Sequence, residues 1–355
     1  MRRPTGSLLL APFVHAQRTL LALGLALLCV LVAGNLLAPA GRGIVKITGI
    51  DTVAYYGNAR SMLYDGDFDL RNEFAQLKPY PSRWNATVPE TGLPSAPFPI
   101  GFSVIQLPFM AIGGLIEKLA YGQATGYTTI SQHAWFFGVT SFTIAGLLLT
   151  LSLLRQLGAA LALPERDAHL WSGAITLALW PATSLGFYSL SPVPHAASFF
   201  LVCAMLWSWL RARPSNDIRP WMTFGAISGL MMLCRWQDLL LMSIPVSWEL
   251  FALVRTPRLA RTKGYWAVRA VAALLAAGVL GLQTLQWHEV YGAWLTLPQG
   301  DGFIQWPPPY VLKVLLSSQH GWLTWTPLVA IGALIAAAKA AMIAWRKAGI
   351  WLLAG

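Results

Sequence analysis

A carboxylate, two tyrosines and a run of acids lie close together in the stretch from Asp51 to Glu73, whose sequence is DTVAYYGNARSMLYDGDFDLRNE. Asp51 follows the first long apolar run of the chain and comes just before Tyr55 and Tyr56. A partly desolvated carboxylate can act as a general base, and the tyrosines beside it can contact a substrate. Asp51 also fits the N-cap of a helix, because it precedes a stretch with helical periodicity. The residues alone leave both interpretations open.

Alternating acids follow in the sequence DGDFD, which runs from Asp65 to Asp69. Carboxylates with this spacing can converge on a hard cation, so Asp67 and Asp69 are candidate ligands for a divalent metal. An Asp-Gly pair is also typical of a turn with solvated acids. The later ligand positions of an EF-hand loop do not fit this sequence.

Basic residues in the same part of the chain could hold a phosphate. Arginine binds phosphate through two parallel hydrogen bonds, and a lipid-phosphate substrate at a membrane surface needs such contacts. The alternative is simple charge balance with the neighbouring acids. The candidate phosphate-binding residues are Arg60, Arg71, Lys78 and, from a later turn, Arg235.

Further polar residues lie near the ends of apolar runs. His195 lies in SPVPHAASFF, His320 lies in SSQHGWLTWTP, and Arg235 and Asp238 lie in a short turn between two runs. A single histidine at a helix end is more often structural than catalytic. Ionisable residues gathered on one face of a membrane protein are usually functional. We therefore interpret His195 and His320 as residues that support a site around Asp51.

The elements that position these residues are predicted to be membrane helices. The chain has 355 residues, of which 56% are hydrophobic and 11% are charged, whereas soluble proteins carry about 25% charged residues. This composition predicts an all-α polytopic membrane protein, which we interpret as one transmembrane domain over 1–355. The net charge of +11 comes from short connectors that orient helices and does not indicate nucleic-acid binding. No Walker A, GxGxxG, HExxH or GxSxG sequence is present.

Apolar runs of spanning length recur along the chain, since a transmembrane helix needs roughly 20 residues. They cover 20–38, 133–154, 170–190, 194–210, 221–234, 237–254, 267–287 and 322–345. The basic clusters between them predict a cytoplasmic N-terminus and 41–99 as an outer loop. The number of crossings then predicts that 100–120 is a re-entrant or interfacial helix, the alternative being a second crossing near 117–131.

The outer loop is expected to carry short interfacial helices. The spacing of Val53, Tyr56, Arg60 and Leu63 predicts a helix over 52–63. The prolines from Pro79 onward exclude a long helix in the rest of the loop.

The order of these motifs resembles the GT-C superfamily of membrane glycosyltransferases, in particular the bacterial branch related to protein O-mannosyltransferases and aminoarabinose lipid A transferases. The similar pieces, spread over 45–330, are the acid before YY..AR.ML..GD.DL.NE, then PFPIGFSVIQLPF, SPVPHAASFF, RWQD and SSQHGWLTWTPL. The resemblance implies a bundle of helices in a bacterial inner membrane, with its site at the outer mouth. It also implies transfer of a sugar from a polyprenyl-phosphate donor to an acceptor outside the cytoplasm, a lipid, a glycan or a protein. Asp51 would then be the general base, with Glu73, Asp67 and Asp69 as weaker matches and a metal in some members.

Two other functions remain open at this point. Family members usually continue with more helices, whereas this chain stops in IWLLAG soon after WTPL, so an inactive fragment is one alternative. The other is a transporter or flippase of lipid-linked saccharides. Transporters tend to contain inverted repeats, and no repeat is visible here.

Overall fold

The computed structural model describes residues 46–258, 262–300, 303, 310–318, 321–327, 329–335 and 338. Within these ranges the regular structure is helical, apart from an isolated antiparallel bridge between Thr87 and Pro94. The apolar run at 20–38, His320 and the final IWLLAG lie outside the described residues.

The helices with assigned bounds follow one another in chain order. They are α1 (Ile50–Arg60), α2 (Arg71–Leu77), α3 (Gly101–Tyr121), α4 (Thr129–Ala160), α5 (Glu165–Leu179), α6 (Leu185–Tyr188), α7 (His195–Ala212), α8 (Ile218–Cys234), α9 (Ser243–Arg255), α10 (Lys263–Tyr291), α11 (Val311–Leu316) and α12 (Trp322–Trp325). A π-helical turn, Ser61–Asp65, continues α1, and 3-10 turns cover Arg83–Asn85 and Trp236–Met242.

Five helices of the described part are long and apolar enough to cross a membrane. They are α3, α4, α7, α10 and the continuous segment Trp236–Arg255 that ends in α9. The predicted all-helical architecture is confirmed, and the long apolar helices indicate a membrane protein.

The sequence-based helix boundaries hold in one region and fail in another. The helix predicted over 52–63 is present as α1 and its π-helical turn, and the proline-rich segment after it contains only a short 3-10 turn among the described residues. The run 170–190 was predicted to span as one helix, and this is wrong. Its helix ends at Leu179, just before Pro181, and only the short α6 follows. Proline lacks the amide proton that a continuing helix would need.

Close contacts between small residues hold the centre of the bundle together. A Cβ atom on Gly225 of α8 would lie 2.3 Å from the carbonyl oxygen of Ala272, and one on Gly229 would lie 2.9 Å from that of Ala276. Only glycine allows α8 and α10 to approach this closely. The two helices run in the same direction, because the contact moves four residues along both.

One helix of the bundle extends well past its neighbour. α4 has 32 residues, which corresponds to about 48 Å of helix against a bilayer core of about 30 Å. Its contacts with α7 come from its later part, where Phe142 stacks on Phe200 and Thr150 lies 3.3 Å from Cys203. Because α7 begins at His195, the earlier part of α4 extends beyond the start of α7.

The first helices pack against this extension of α4. Phe102 of α3 contacts Trp135 with ring centroids 5.1 Å apart, and the Gln106 side chain donates to the Trp135 carbonyl at 3.1 Å. α1 lies along α3, where the Ser103 hydroxyl donates to the Tyr55 carbonyl at 2.7 Å. We call residues 46–141 the cap, because they cover the end of the bundle at which α7 begins and α8 ends.

Candidate functional site

A cleft of about 1090 Å³ lies between the cap and the covered end of the bundle. It is lined by the start of α1, the chain before α3, the start of α7, the turn after α8, and by Leu297, Gln299, Gly300 and Phe303. Asp51, Tyr55, His195 and Arg235, all predicted from the sequence, line it together. The structure thus brings together candidate residues that are widely separated in the chain.

Asp51 is the second residue of α1 and not its N-cap. The helix begins at Ile50, and the capping position is held by Gly49 with φ of 87°, a conformation that glycine adopts most readily. The N-cap interpretation of Asp51 is therefore wrong. The side chain is exposed in the cleft, while burial by the surrounding protein raises its pKa and the hydrogen bond from its own backbone amide lowers it. The net upward direction makes the carboxylate a stronger base.

Tyr55 lies one turn further along α1 and forms part of the cleft wall. Its ring packs on Phe98 and Phe102, with centroid distances of 5.4 and 5.5 Å. Burial is the largest cause of the raised pKa of its hydroxyl. Asp51 raises that pKa further and Arg235 lowers it. The opposite charges of these two residues therefore act on the same hydroxyl group.

Arg235 lies between α8 and the following 3-10 turn, in extended backbone with φ −149° and ψ 116°. Its guanidinium makes no ion pair with the residues that the structure describes. The turn is tied to α7, because Ser198 donates to the buried carboxylate of Asp238 at 2.5 Å. Asp238 thus positions the turn, and Arg235 keeps its charge available to the cleft.

His195 opens α7 at the cleft. Its ring stacks on Tyr188, with centroids 3.8 Å apart and planes 3° from parallel. The first turn of a helix leaves several backbone amides without a partner inside the helix, and the dipole there favours negative charge. The start of α7 and Arg235 therefore make this side of the cleft favourable for an anion.

Aromatic and apolar residues form the other walls. Trp84 meets Phe303 edge to face at 5.7 Å, and Trp236 meets Trp287 at 5.5 Å. The side-chain amide of Gln299 donates to the Pro97 carbonyl at 2.6 Å. The aromatic residues that line the cleft are Tyr55, Trp84, Phe98, Trp236 and Phe303.

Several lining residues were not identified from the sequence. Trp236 and Gln237 stand inside the RWQD motif, so the motif itself was the available signal. Trp84, Gln299 and Phe303 come from connecting segments with no motif, and only the fold brings them to the cleft. His320, the remaining predicted member, lies outside the described residues.

Arg60 and Glu73 lie at the far end of α1 and not in the cleft. Arg60 is 8% exposed and Glu73 is fully buried, and Arg60 Nη1 is 2.8 Å from Glu73 Oε1. Arg60 also pairs with Asp65 and donates to the Thr125 carbonyl at 3.0 Å. Burial raises the pKa of Glu73 to about 7, while the hydrogen bond from Arg60 opposes this rise. These contacts give Arg60 a role inside the fold, away from any phosphate in the cleft.

Three other predicted contacts of the substrate lie elsewhere. Tyr56 is buried and donates its hydroxyl to the Gly126 carbonyl at 2.6 Å. Arg71 is exposed and pairs with Asp69, with Nε 2.8 Å from Oδ2. Lys78 is exposed and follows the last residue of α2, with a backbone φ of 48°. The structure places none of these three in the lining of the cleft.

The acids of DGDFD stabilise a turn. Asp67 Oδ1 accepts from the Ser61 hydroxyl at 2.5 Å and from the Asp69 amide at 3.1 Å. Asp69 in turn holds Arg71. Among the described residues, no group of three or more His, Cys, Asp or Glu side chains is placed to hold a metal ion. The geometry of Asp67 and Asp69 matches the turn interpretation that the sequence left open.

No family model matches this chain, and neither the curated proteins nor the solved structures gave a match. The resemblance to the GT-C superfamily therefore rests on the sequence motifs, while the cleft stands on its own geometry.

Proposed function

We propose that this protein is an integral-membrane glycosyltransferase of the GT-C type that moves a sugar from a polyprenyl-phosphate donor to an extracytoplasmic acceptor. The observation that carries the proposal is the cleft, which unites a carboxylate of raised pKa with an arginine that makes no ion pair among the described residues, between aromatic walls. The sequence resemblance supports the same chemistry.

Asp51 is proposed as the general base. It takes the proton of an acceptor hydroxyl while the acceptor oxygen forms a bond to the anomeric carbon of the sugar. The bond between that carbon and the phosphate oxygen breaks, and the polyprenyl phosphate leaves with its negative charge. Arg235 and the start of α7 lie where they can bind that phosphate through charge-assisted hydrogen bonds. The exposure of Asp51 to the cleft allows an acceptor to reach it.

The walls of the cleft suit a sugar. The faces of Trp84 and Trp236 can pack against the apolar C–H faces of a sugar ring, and the side-chain amides of Gln237 and Gln299 can bond to its hydroxyls. The volume of about 1090 Å³ is at the upper end for small-molecule sites and leaves room for both donor and acceptor.

The donor lipid can leave the cleft along the membrane face of the bundle. Leu239 and Leu240 line the cleft and are 59% and 77% exposed. They belong to Trp236–Arg255, a candidate membrane span whose apolar window is only 11% buried. An isoprenoid chain that starts at Arg235 would follow this surface into the bilayer.

The cap is proposed to lie on the outer side of a bacterial inner membrane, with the N-terminus in the cytoplasm. The length and composition of α3 would allow it to cross a membrane. However, it packs against the part of α4 that extends past the start of α7. This packing favours a position along the membrane surface for α3 and α1. The placement also satisfies the number of crossings required by the basic clusters.

Replacing Asp51 with Asn tests the assignment. We expect transfer from polyprenyl-phosphate sugars to fall about 10²–10⁴-fold, the usual contribution of a general base. Asp69→Asn is the matched control, because Asp69 lies in the turn outside the cleft, and it should keep full activity. Full activity of correctly folded D51N protein would overturn the assigned role. A cysteine at position 237 that reacts with membrane-impermeant reagents from both sides would favour a transporter instead.

A further inference from the structure

The end of the bundle opposite the cleft is basic and aromatic. α7 ends and α8 begins there, joined by 213–217, and α9 ends and α10 begins there. The described basic residues of these segments are Arg211, Arg213, Arg219, Arg255, Arg258, Lys263 and Arg269. The described acids of the same segments are Asp217 and Glu249. The local charge is therefore strongly positive.

One arginine of this end is neutralised inside the fold. Glu249 accepts from Arg269 Nη2 at 2.6 Å and from the Tyr265 hydroxyl at 2.8 Å. Arg269 also stacks on Trp221, with its guanidinium carbon 4.2 Å from the ring centroid. Glu249 is thereby committed to Arg269 and does not offset the other arginines.

Three other arginines at this end are exposed, make no ion pair within the described part of the chain, and lie on aromatic rings. Arg211 lies over Trp207 at 3.8 Å, and Arg255 lies over Phe251 at 5.2 Å. Arg213 directly follows α7, and its guanidinium carbon lies 4.9 Å from the ring centroid of Trp248 in α9. Stacking fixes the plane of a guanidinium and leaves its N–H edge free for phosphate oxygens.

Arg213 and Arg255 flank one continuous aromatic surface on α9. The ring centroids of Trp248 and Phe251 are 6.2 Å apart, and each of the two arginines lies over one of these rings. The same face of α9 continues toward the start of the helix with apolar and open side chains, with Ile244 46% and Phe251 51% exposed. A phosphate at the arginines would therefore sit at the head of an apolar face long enough for acyl chains.

We propose that this surface binds an anionic phospholipid, with its phosphate between Arg213 and Arg255 and its acyl chains along α9. Tryptophans and arginines at a membrane boundary are typical of such contacts. The proposal does not depend on the chemistry of the cleft, because the site lies at the other end of α7.

The test is lipid binding by the purified full chain in neutral detergent, followed by native mass spectrometry. Phosphatidylglycerol and phosphatidylcholine with identical acyl chains are the probes. We expect the wild-type protein to bind the anionic lipid more tightly, and R213Q/R255Q to weaken it by at least about tenfold, since each basic residue contributes roughly fivefold. R213K/R255K should recover only part of the loss, because lysine does not offer the planar fork.

Arg71→Gln is the matched control, because Arg71 is an exposed arginine of the cap that already pairs with Asp69. It should bind phosphatidylglycerol like the wild type. Equal binding of the two lipids by the wild-type protein would overturn the proposal and needs no variant. Unchanged phosphatidylglycerol binding by R213Q/R255Q would overturn it as well.

Discussion

The two ends of α1 hold charged residues in opposite ways. At the start, Asp51 is exposed in the cleft, and Arg235 nearby has no ion pair among the described residues. At the end, Arg60 is buried and binds Glu73, which is itself fully buried. The helix has 11 residues, so the two arrangements are separated by roughly 15 Å.

The difference shows which charges belong to folding and which are available to a ligand. A buried charge that loses its partner is costly, so Arg60 and Glu73 depend on each other, although Glu73 Oε2 has no hydrogen-bond partner among the described residues. Asp51 and Arg235 line an open cleft, where they remain partly in contact with water and are accessible to a ligand. Segment 51–73, which the sequence presents as one polar patch, thus contains one half that is paired inside the fold and one half that is open to the cleft.

Breaking the buried pair should have the largest effect on stability. Arg60→Met removes the partner of Glu73 and leaves its carboxylate buried, which typically costs about 3–5 kcal/mol. We expect a large drop in the unfolding midpoint of detergent-solubilised protein, measured by thermal or denaturant unfolding.

Arg71→Met is the matched control for that variant. Arg71 also pairs with an acid of the same segment, but its side chain is 68% exposed. Exposed pairs contribute little to stability, because water already solvates both charges. Equal destabilisation by R60M and R71M would contradict the distinction between the two kinds of pair.

Removing both partners should restore much of the lost stability. In R60M/E73L no buried charge is left without a partner, because Asp65 is exposed and keeps the hydrogen bond from Asn72, and replacing a buried ion pair by apolar residues is often close to neutral. A double-mutant cycle of the two single variants and the double variant measures this coupling. We expect a coupling free energy of about 2–3 kcal/mol, near the upper end for residues in contact. Additive effects would show that Arg60 acts mainly through Asp65 or through Tyr127, whose ring centroid lies 4.3 Å from the Arg60 guanidinium carbon.

The division within α1 explains how far the sequence could lead. The helix itself follows from the local spacing of Val53, Tyr56, Arg60 and Leu63, which needs no information from elsewhere. The fate of Arg60 depends on Thr125, whose carbonyl it contacts across 65 positions of the chain. No local pattern reports such a contact.

The cleft shows the same limit. Asp51, His195 and Arg235 were found because ionisable residues are rare in apolar chains and so stand out. Gln299 and Phe303 are ordinary residues in a connecting segment, and only the packing of that segment on Pro97 and Trp84 reveals their place. The N-cap interpretation of Asp51 failed because it required the helix start to be known to one residue, and Gly49 takes the capping position.

At the open end of α1, Arg235→Gln should weaken donor binding and leave stability nearly unchanged. A hydrogen bond to a charged group contributes about 1.5–3 kcal/mol, which corresponds to a loss of affinity of roughly 10–100-fold. The measurement is the dissociation constant for polyprenyl phosphate, with the unfolding midpoint recorded on the same sample. Lys78→Gln serves as the control, because Lys78 does not line the cleft. A larger loss of affinity in K78Q than in R235Q would place the phosphate near Lys78, outside the cleft.

The smallest effect concerns pH and Glu73. Burial raises the pKa of this carboxyl from its ordinary 4.5 to about 7, against the opposing hydrogen bond from Arg60. Between pH 4.5 and about 7 the folded protein binds more protons at Glu73 than the unfolded chain does. The protonated carboxyl therefore stabilises the fold fully below about pH 4.5, and this contribution is lost as the pH rises through about 7. Asp51 also has a raised pKa and makes stability fall with pH in the same direction, so the comparison must be made between wild type and Glu73→Gln.

We expect unfolding midpoints of the wild type to fall more steeply with pH than those of E73Q over this pH range. Parallel curves would mean that Glu73 stays ionised beside Arg60 throughout, and that the buried end of α1 is a permanent ion pair.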